Sequence, residues 1–79
     1  MAKTMTCDQL GGACKETFTA ETFDDIAKLS HAHGSAMFEQ QDAAHLEAMS
    51  AMQGLMAKPE DMQAWFDARR AEFDALPHD

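Results

Sequence analysis

Two cysteines and two histidines are the residues of this sequence that could together bind a metal ion. Cys7 and Cys14 are its only cysteines, and His33 and His45 follow in segments with helical patterning. Two thiolates and two imidazoles satisfy a tetrahedral Zn²⁺ ion, which binds sulfur at about 2.3 Å and nitrogen at about 2.0 Å. The sequence therefore predicts a Cys2His2 zinc site made of Cys7, Cys14, His33 and His45.

The two histidines are brought together by the predicted pairing of two helices. The periodicity predicts one helix over 22–39 and a second over 42–57, joined by a turn short enough to make them antiparallel. A turn centred near residue 39 sets His33 opposite His45, because each lies six positions from that centre. The apolar stripes that should face inward are Phe23, Ile26, Ser30, His33 and Met37 on the first helix and His45, Met49, Met52 and Met56 on the second.

His31 is the alternative to His45 as the fourth ligand. It lies two residues from His33, which on a helix is a rotation of about 200°, so both cannot point inward along one helix. If the helix ended at Gly34, the unwinding could bring His31 to the site. The period continues through residues 36–38, which favours an uninterrupted helix and therefore His45.

Other interpretations of the cysteines and methionines stay open at this point. The cysteines could be small buried hydrophobic residues, or a redox dithiol, although C-x6-C is not the C-x-x-C spacing of thioredoxin-like sites. Seven methionines are many for 79 residues. Their thioethers beside thiolates make Cu(I) the second choice of metal. Methionines at helical spacing more often fill a core or form a surface for a protein partner or self-association.

Composition predicts an α+β fold that is mostly α, in one domain covering 1–79. Ala, Leu, Met, Glu and Gln are abundant, Val and Tyr are absent, and Ile26 is the only isoleucine. This favours helix over sheet. Thr22 and Asp42 are predicted N-caps, and Pro59 begins a third helix over 59–75. Its predicted inward face is Met62, Trp65, Phe66, Arg69 and Phe73.

The first twenty residues are the exception and predict a β-hairpin. Polar and apolar residues alternate on either side of a loop that contains Gly11 and Gly12, as in two paired strands. Folding back at these glycines would place Cys7 and Cys14 close together at the loop end of the hairpin. A two-stranded hairpin is marginal in water, so we expect it to pack on the helices.

Charge and motifs argue against several classes of function. A net charge of −8 with six scattered Lys and Arg predicts no nucleic-acid or membrane partner. No apolar leader is visible at the start, which predicts a cytoplasmic location, where thiols stay reduced. No nucleophile elbow or phosphate-binding loop is present, so the sequence does not predict an enzyme.

The N-terminal half resembles a known family. Cys7-x-x-Leu10-Gly11-x-x-Cys14, followed by an acidic helix start and by His33-Gly34, is similar to bacterial proteins described as predicted small metal-binding proteins, whose function is unassigned. The resemblance covers roughly residues 3–39 and implies Cys7, Cys14 and His33 as metal ligands. Family members commonly carry a second histidine five residues after the first, where this chain has Phe38, and His45 is the expected replacement.

These observations predict a small cytoplasmic metal-binding protein whose zinc site is mainly structural and whose biological role is unassigned. The alternative functions are reversible handling of Zn²⁺ or Cu(I), thiol redox chemistry, or docking of a partner.

Overall fold

The computed structural model describes residues 2–78, and its chain forms an antiparallel hairpin followed by three helices. The elements are β1 (Lys3–Thr6), a 3-10 turn (Asp8–Leu10), β2 (Thr17–Ala20), α1 (Phe23–Glu39), α2 (Ala43–Met56) and α3 (Pro59–Ala75). This confirms the α+β, mostly α prediction, and each helix lies within one residue of its predicted bounds. Within 2–78, no helix is both long and apolar enough to cross a membrane.

The hairpin buries one face and leaves the other to polar side chains. Met5 pairs with Phe18 across the strands, and both side chains are buried. On the opposite face the hydroxyls of Thr4 and Thr19 share a hydrogen bond of 2.8 Å. The period-2 alternation of the sequence therefore sets which side of the hairpin meets the helices.

β1 ends before Cys7 and β2 begins after Cys14, so both cysteines lie in the loop that connects the strands. After β1 the chain enters the 3-10 turn, which ends at Gly11 with a left-handed φ of 87°. The base of the loop stays paired, because the Cys7 N–H donates to the Glu16 carbonyl at 2.7 Å and the Asp8 N–H to the Cys14 carbonyl at 3.0 Å. These bonds keep the two cysteines adjacent.

The helices begin where the capping residues predict. The Thr22 hydroxyl accepts the Asp25 N–H at 3.2 Å, and the Asp42 carboxylate accepts the His45 N–H at 3.1 Å. Each bond satisfies a backbone donor that has no partner inside the helix. α1 continues through Gly34 to Glu39 without interruption, so the predicted continuation of this helix is confirmed.

The hydrophobic core lies between the hairpin, the start of α1 and the end of α3. Its buried members are Met5, Cys7, Leu10, Phe18, Phe23, Ile26 and Phe73. Phe23 and Phe73 meet edge to face, with their ring centroids 6.0 Å apart. Lys3 holds α3 to the hairpin, because its ammonium donates to the carbonyls of Phe73 and Asp74 at 3.1 and 3.0 Å. The Phe73 carbonyl also accepts the Leu76 N–H at 3.1 Å, so Lys3 adds a second bond to the last turn of the helix.

The methionines of α2 do not fill this core, contrary to the prediction from their spacing. Met49 and Met52 of α2 are half-buried, and Met56 is exposed. Met37 of α1 is also half-buried. The methionines of α2 are therefore only partly covered by the described residues, and they line a cavity instead.

Candidate metal centre

The hairpin loop is wrapped closely around Cys7. The carbonyl of Cys7 accepts the N–H groups of Leu10 and Gly12 at 3.0 and 2.9 Å. Its side chain is buried, whereas Cys14 on the return side of the loop is half-buried. The backbone bonds of the loop therefore hold in place the two positions from which the thiols project.

The antiparallel pair α1 and α2 presents the two histidines to this loop. His33 and His45 face each other with their ring centroids 5.3 Å apart. The ring of Phe18, from β2, packs against the ring of His33, and the two ring centroids are 5.7 Å apart. The predicted juxtaposition of these histidines across the turn is thus present in the structure.

Cys7, Cys14, His33 and His45 form one cluster in which no two of the possible ligand atoms are more than 4.8 Å apart. Cys7 Sγ lies 3.6 Å from His45 Nε2, and Cys14 Sγ lies 3.3 Å from His33 Nε2. In a tetrahedral zinc site with ordinary bond lengths, a sulfur and a nitrogen are about 3.5 Å apart. Two edges of the tetrahedron are therefore already at metal-binding length, and each of the other four is no longer than 4.8 Å.

Asp42 both caps α2 and orients His45. Its Oδ2 atom accepts the backbone N–H of His45 at 3.1 Å and lies 2.6 Å from Nδ1 of the same residue. A proton on Nδ1 leaves Nε2, which faces Cys7, with a free lone pair. A carboxylate behind a histidine in this way is the usual outer partner in a metal site, where it sets the tautomer and the ring orientation.

The two thiols differ in their electrostatic surroundings. Burial raises the pKa of Cys7 above its ordinary value. The pKa of Cys14 is lowered, first by a backbone hydrogen bond from Glu16 and then by His45 and Cys7. The hydrogen bond to Asp42 raises the pKa of His45. Cys14 is thus the more readily ionised thiol, and the thiolate is the form that binds metal.

The other candidate ligand of the sequence lies elsewhere. His31 is exposed on α1 and is not part of the cluster. Because α1 does not end at Gly34, the unwinding that could have turned His31 inward does not occur. His45, rather than His31, is the residue that the structure brings beside the cysteines.

Two features of the cluster are not predicted from the sequence, namely the contact of Asp42 with His45 and the contact of Gly12 with Cys7. Asp42 was predicted only as a helix cap, although its position three residues before His45 is a spacing at which side chains meet on a helix. Gly12 was predicted only as a turn residue. A Cβ atom at Gly12 would collide with Cys7 Sγ and lie 3.0 Å from the Cys7 carbonyl oxygen. No local pattern marks that contact, because it depends on how the loop closes.

The chain matches no known family model, and no curated protein or solved structure is significantly similar to it. Its function must therefore be argued from the geometry of the cluster.

We predict that Gly12→Ala disturbs the cluster, since the added methyl group must displace the Cys7 thiol. Zinc affinity, measured by competition with a chromophoric chelator, should fall at least about tenfold. Gly54→Ala is the matched control, because nothing lies within 4 Å of a Cβ at that position in α2. It should leave zinc affinity unchanged and raise the free energy of unfolding by up to about 1 kcal/mol. Equal zinc affinity in the two variants would contradict the prediction.

Proposed function

We propose that this protein binds one Zn²⁺ ion per chain through Cys7, Cys14, His33 and His45, and that the ion is mainly structural. The observation that carries the proposal is the convergence of these four residues, with possible ligand atoms no more than 4.8 Å apart. They come from the hairpin loop, α1 and α2, which are separate in the sequence. Chance clustering of the only two cysteines with two of four histidines would be a less economical explanation.

The donor set favours zinc. Two sulfur and two nitrogen ligands match the preference of Zn²⁺ for tetrahedral S and N coordination, with Cu(I) as the second choice. Four protein ligands complete a tetrahedron, whereas a catalytic zinc keeps one position for water or substrate. The arrangement of Asp42 behind His45 supports the same conclusion, since it presents Nε2 as a metal ligand.

A structural role follows from what the ion would connect. It would tie the hairpin loop, through Cys7 and Cys14, to α1 and α2, through His33 and His45. A chain of this size gains only about 3–5 kcal/mol from a single apolar core. The binding free energy of the metal would then appear as folding free energy.

The resemblance to predicted small metal-binding proteins agrees with this proposal and adds no reaction to it. The cytoplasmic location and the absence of a nucleic-acid partner remain predictions from the sequence. A reducing compartment would keep Cys7 and Cys14 available to a metal rather than paired as a disulfide. The biological role of the module is unassigned.

Reversible metal handling is the second candidate, and the exposure of one side of the cluster favours it. Cys14 and His33 are half-buried, whereas Cys7 and His45 are buried. An acceptor could therefore approach the ion from the Cys14 side. In this alternative the apoprotein stays folded and exchanges its metal readily.

The untagged full-length protein, prepared under reducing conditions, should contain about one zinc per chain by elemental analysis. His45→Ala should lose most of this zinc, because it removes a buried ligand. His31→Ala is the matched control and should retain it, since His31 is exposed outside the cluster. Far-UV circular dichroism with and without added Zn²⁺ separates ligand loss from misfolding. Absence of zinc uptake by the parent protein would overturn the proposal.

Asp42→Ser should weaken zinc binding by about 10–100-fold while preserving the start of α2. Serine is a good N-cap, so the bond to the His45 N–H survives, but its side chain is too short to reach Nδ1. Asp42→Asn keeps an acceptor of the same length and should lose less affinity. If both variants bind zinc as tightly as the parent, Asp42 does not orient His45.

A structural ion should be needed for cooperative folding. Removal of zinc by a strong chelator should abolish or greatly lower the thermal transition followed by circular dichroism, and stoichiometric Zn²⁺ should restore it. Addition of Mg²⁺ in place of Zn²⁺ is the control and should restore nothing, because Mg²⁺ prefers oxygen ligands. A cooperative transition unchanged by chelation would favour reversible metal handling instead.

A further inference from the structure

An apolar cavity of about 910 Å³ shares a wall with the metal cluster. Cys7, His33 and His45 line this cavity together with Met49 and Trp65. The methionine stripe of α2 does not enter the core, and it faces this cavity instead. Its size is in the range of sites that hold a ligand or several side chains of a partner.

The loop that carries Cys7 is also part of the cavity wall. A Cβ atom at Gly11 would lie 3.0 Å from Met52 Sδ and 3.2 Å from Trp65 Cζ2, so the backbone of the loop packs directly on α2 and α3. Gly11 needs its left-handed φ of 87° to make this approach. An ion that holds Cys7 against His45 would therefore also hold this wall in place.

The charges around the cavity indicate the sign of its occupant. Among residues 2–78 no Asp or Glu lines it, although the chain contains fourteen acidic residues. Glu39 lines the smaller adjoining cavity, and Glu47 is exposed on α2 between two residues of the cavity wall. Lys28 is the only Lys or Arg in the described lining, and its ammonium lies 4.0 Å from Asp25. Two acidic side chains thus lie next to an apolar lining on a chain whose net charge is −8.

Exposed apolar side chains extend the cavity to its rim. Phe38 and Met56 both line it, and they are 62% and 45% exposed. Methionine side chains are flexible and polarisable, which suits them to a surface that adapts to a partner helix. An amphipathic helix can lay its apolar face in such a groove while its basic residues meet the acidic surroundings.

We propose that this cavity binds a basic amphipathic helix of a protein partner, and that it does so in the zinc-loaded form. The inference rests on the proposed function, because the zinc would hold the Cys7 loop against Met52 and Trp65. A second copy of the chain is a poorer occupant, since each copy has a net charge of −8 and the two would repel each other.

Trp65 provides the reporter, because it is the only tryptophan of the chain and lines the cavity. The probe is a tryptophan-free peptide of Leu and Lys, about 18 residues or five helical turns long, with Leu on one face. Its addition to the zinc-loaded protein should shift the Trp65 emission to shorter wavelength and saturate. Binding should weaken at least about tenfold in the metal-free protein and should also weaken with added salt.

Two control peptides separate the contributions of shape and charge. A peptide of the same composition in scrambled order keeps the positive charge but has no apolar face. A peptide with Glu in place of Lys keeps the face and reverses the charge. Both should bind the zinc-loaded protein at least about tenfold more weakly than the amphipathic basic peptide.

Two matched variants of α1 locate the binding surface. Phe38→Ala should weaken peptide binding by about tenfold, because Phe38 lines the cavity. Leu29→Ala should change it less than about twofold, since Leu29 is similarly exposed, at 42%, but does not line the cavity. Both variants should bind zinc as the parent does, because neither residue belongs to the cluster.

The zinc measurements and the peptide measurements test the two proposals separately. If the protein binds zinc but the amphipathic peptide does not bind, or binds no better than its scrambled or acidic counterpart, the docking inference is overturned and the metal site stands. Equal loss of binding in Phe38→Ala and Leu29→Ala would overturn the assigned surface. Equal peptide affinity with and without bound zinc would overturn its dependence on the metal. Failure to bind zinc overturns the proposed function itself.

Discussion

The hairpin loop meets the antiparallel helices α1 and α2 at the cluster, and this contact joins parts of the chain that are distant in the sequence. It places two thiols against two imidazoles, with Cys7 Sγ 3.6 Å from His45 Nε2 and Cys14 Sγ 3.3 Å from His33 Nε2. The backbone hydrogen bonds around Cys7 hold the loop in its conformation, and the hydrogen bond with Asp42 orients the ring of His45. Residues on both sides of the cluster are thus oriented by their own neighbours, and the four possible ligand atoms lie within 4.8 Å of one another.

The apolar core and the cluster stabilise different parts of the molecule. Phe23, Phe73 and the buried side of the hairpin join the first turn of α1 to the last turns of α3. Cys7 belongs to this core and also to the cluster, so it is the residue through which the two regions meet. α2 contributes little to the core, since only His45 of that helix is buried. A bound ion would therefore anchor α2 more directly than hydrophobic packing does.

Local patterns in the sequence were sufficient for the elements and for much of the cluster. Helix caps at Thr22 and Asp42 are recognisable because their side chains satisfy backbone donors within three residues. His33 and His45 were paired correctly because the turn between α1 and α2 is short and 3.6-residue periodicity fixes the inward faces. His31 was the remaining alternative, and the unbroken course of α1 through Gly34 places it on the exposed side.

The order of the elements, the helix boundaries and the residue types able to hold a metal can be predicted from the sequence, because they follow from interactions between near neighbours. Three features become visible only in the folded chain: β1 ends before Cys7, Gly12 lies against the Cys7 thiol, and the α2 methionines face a cavity instead of the core. Such features depend on how distant surfaces fit together. Periodicity identifies which face of a helix is apolar, but it does not identify what covers that face.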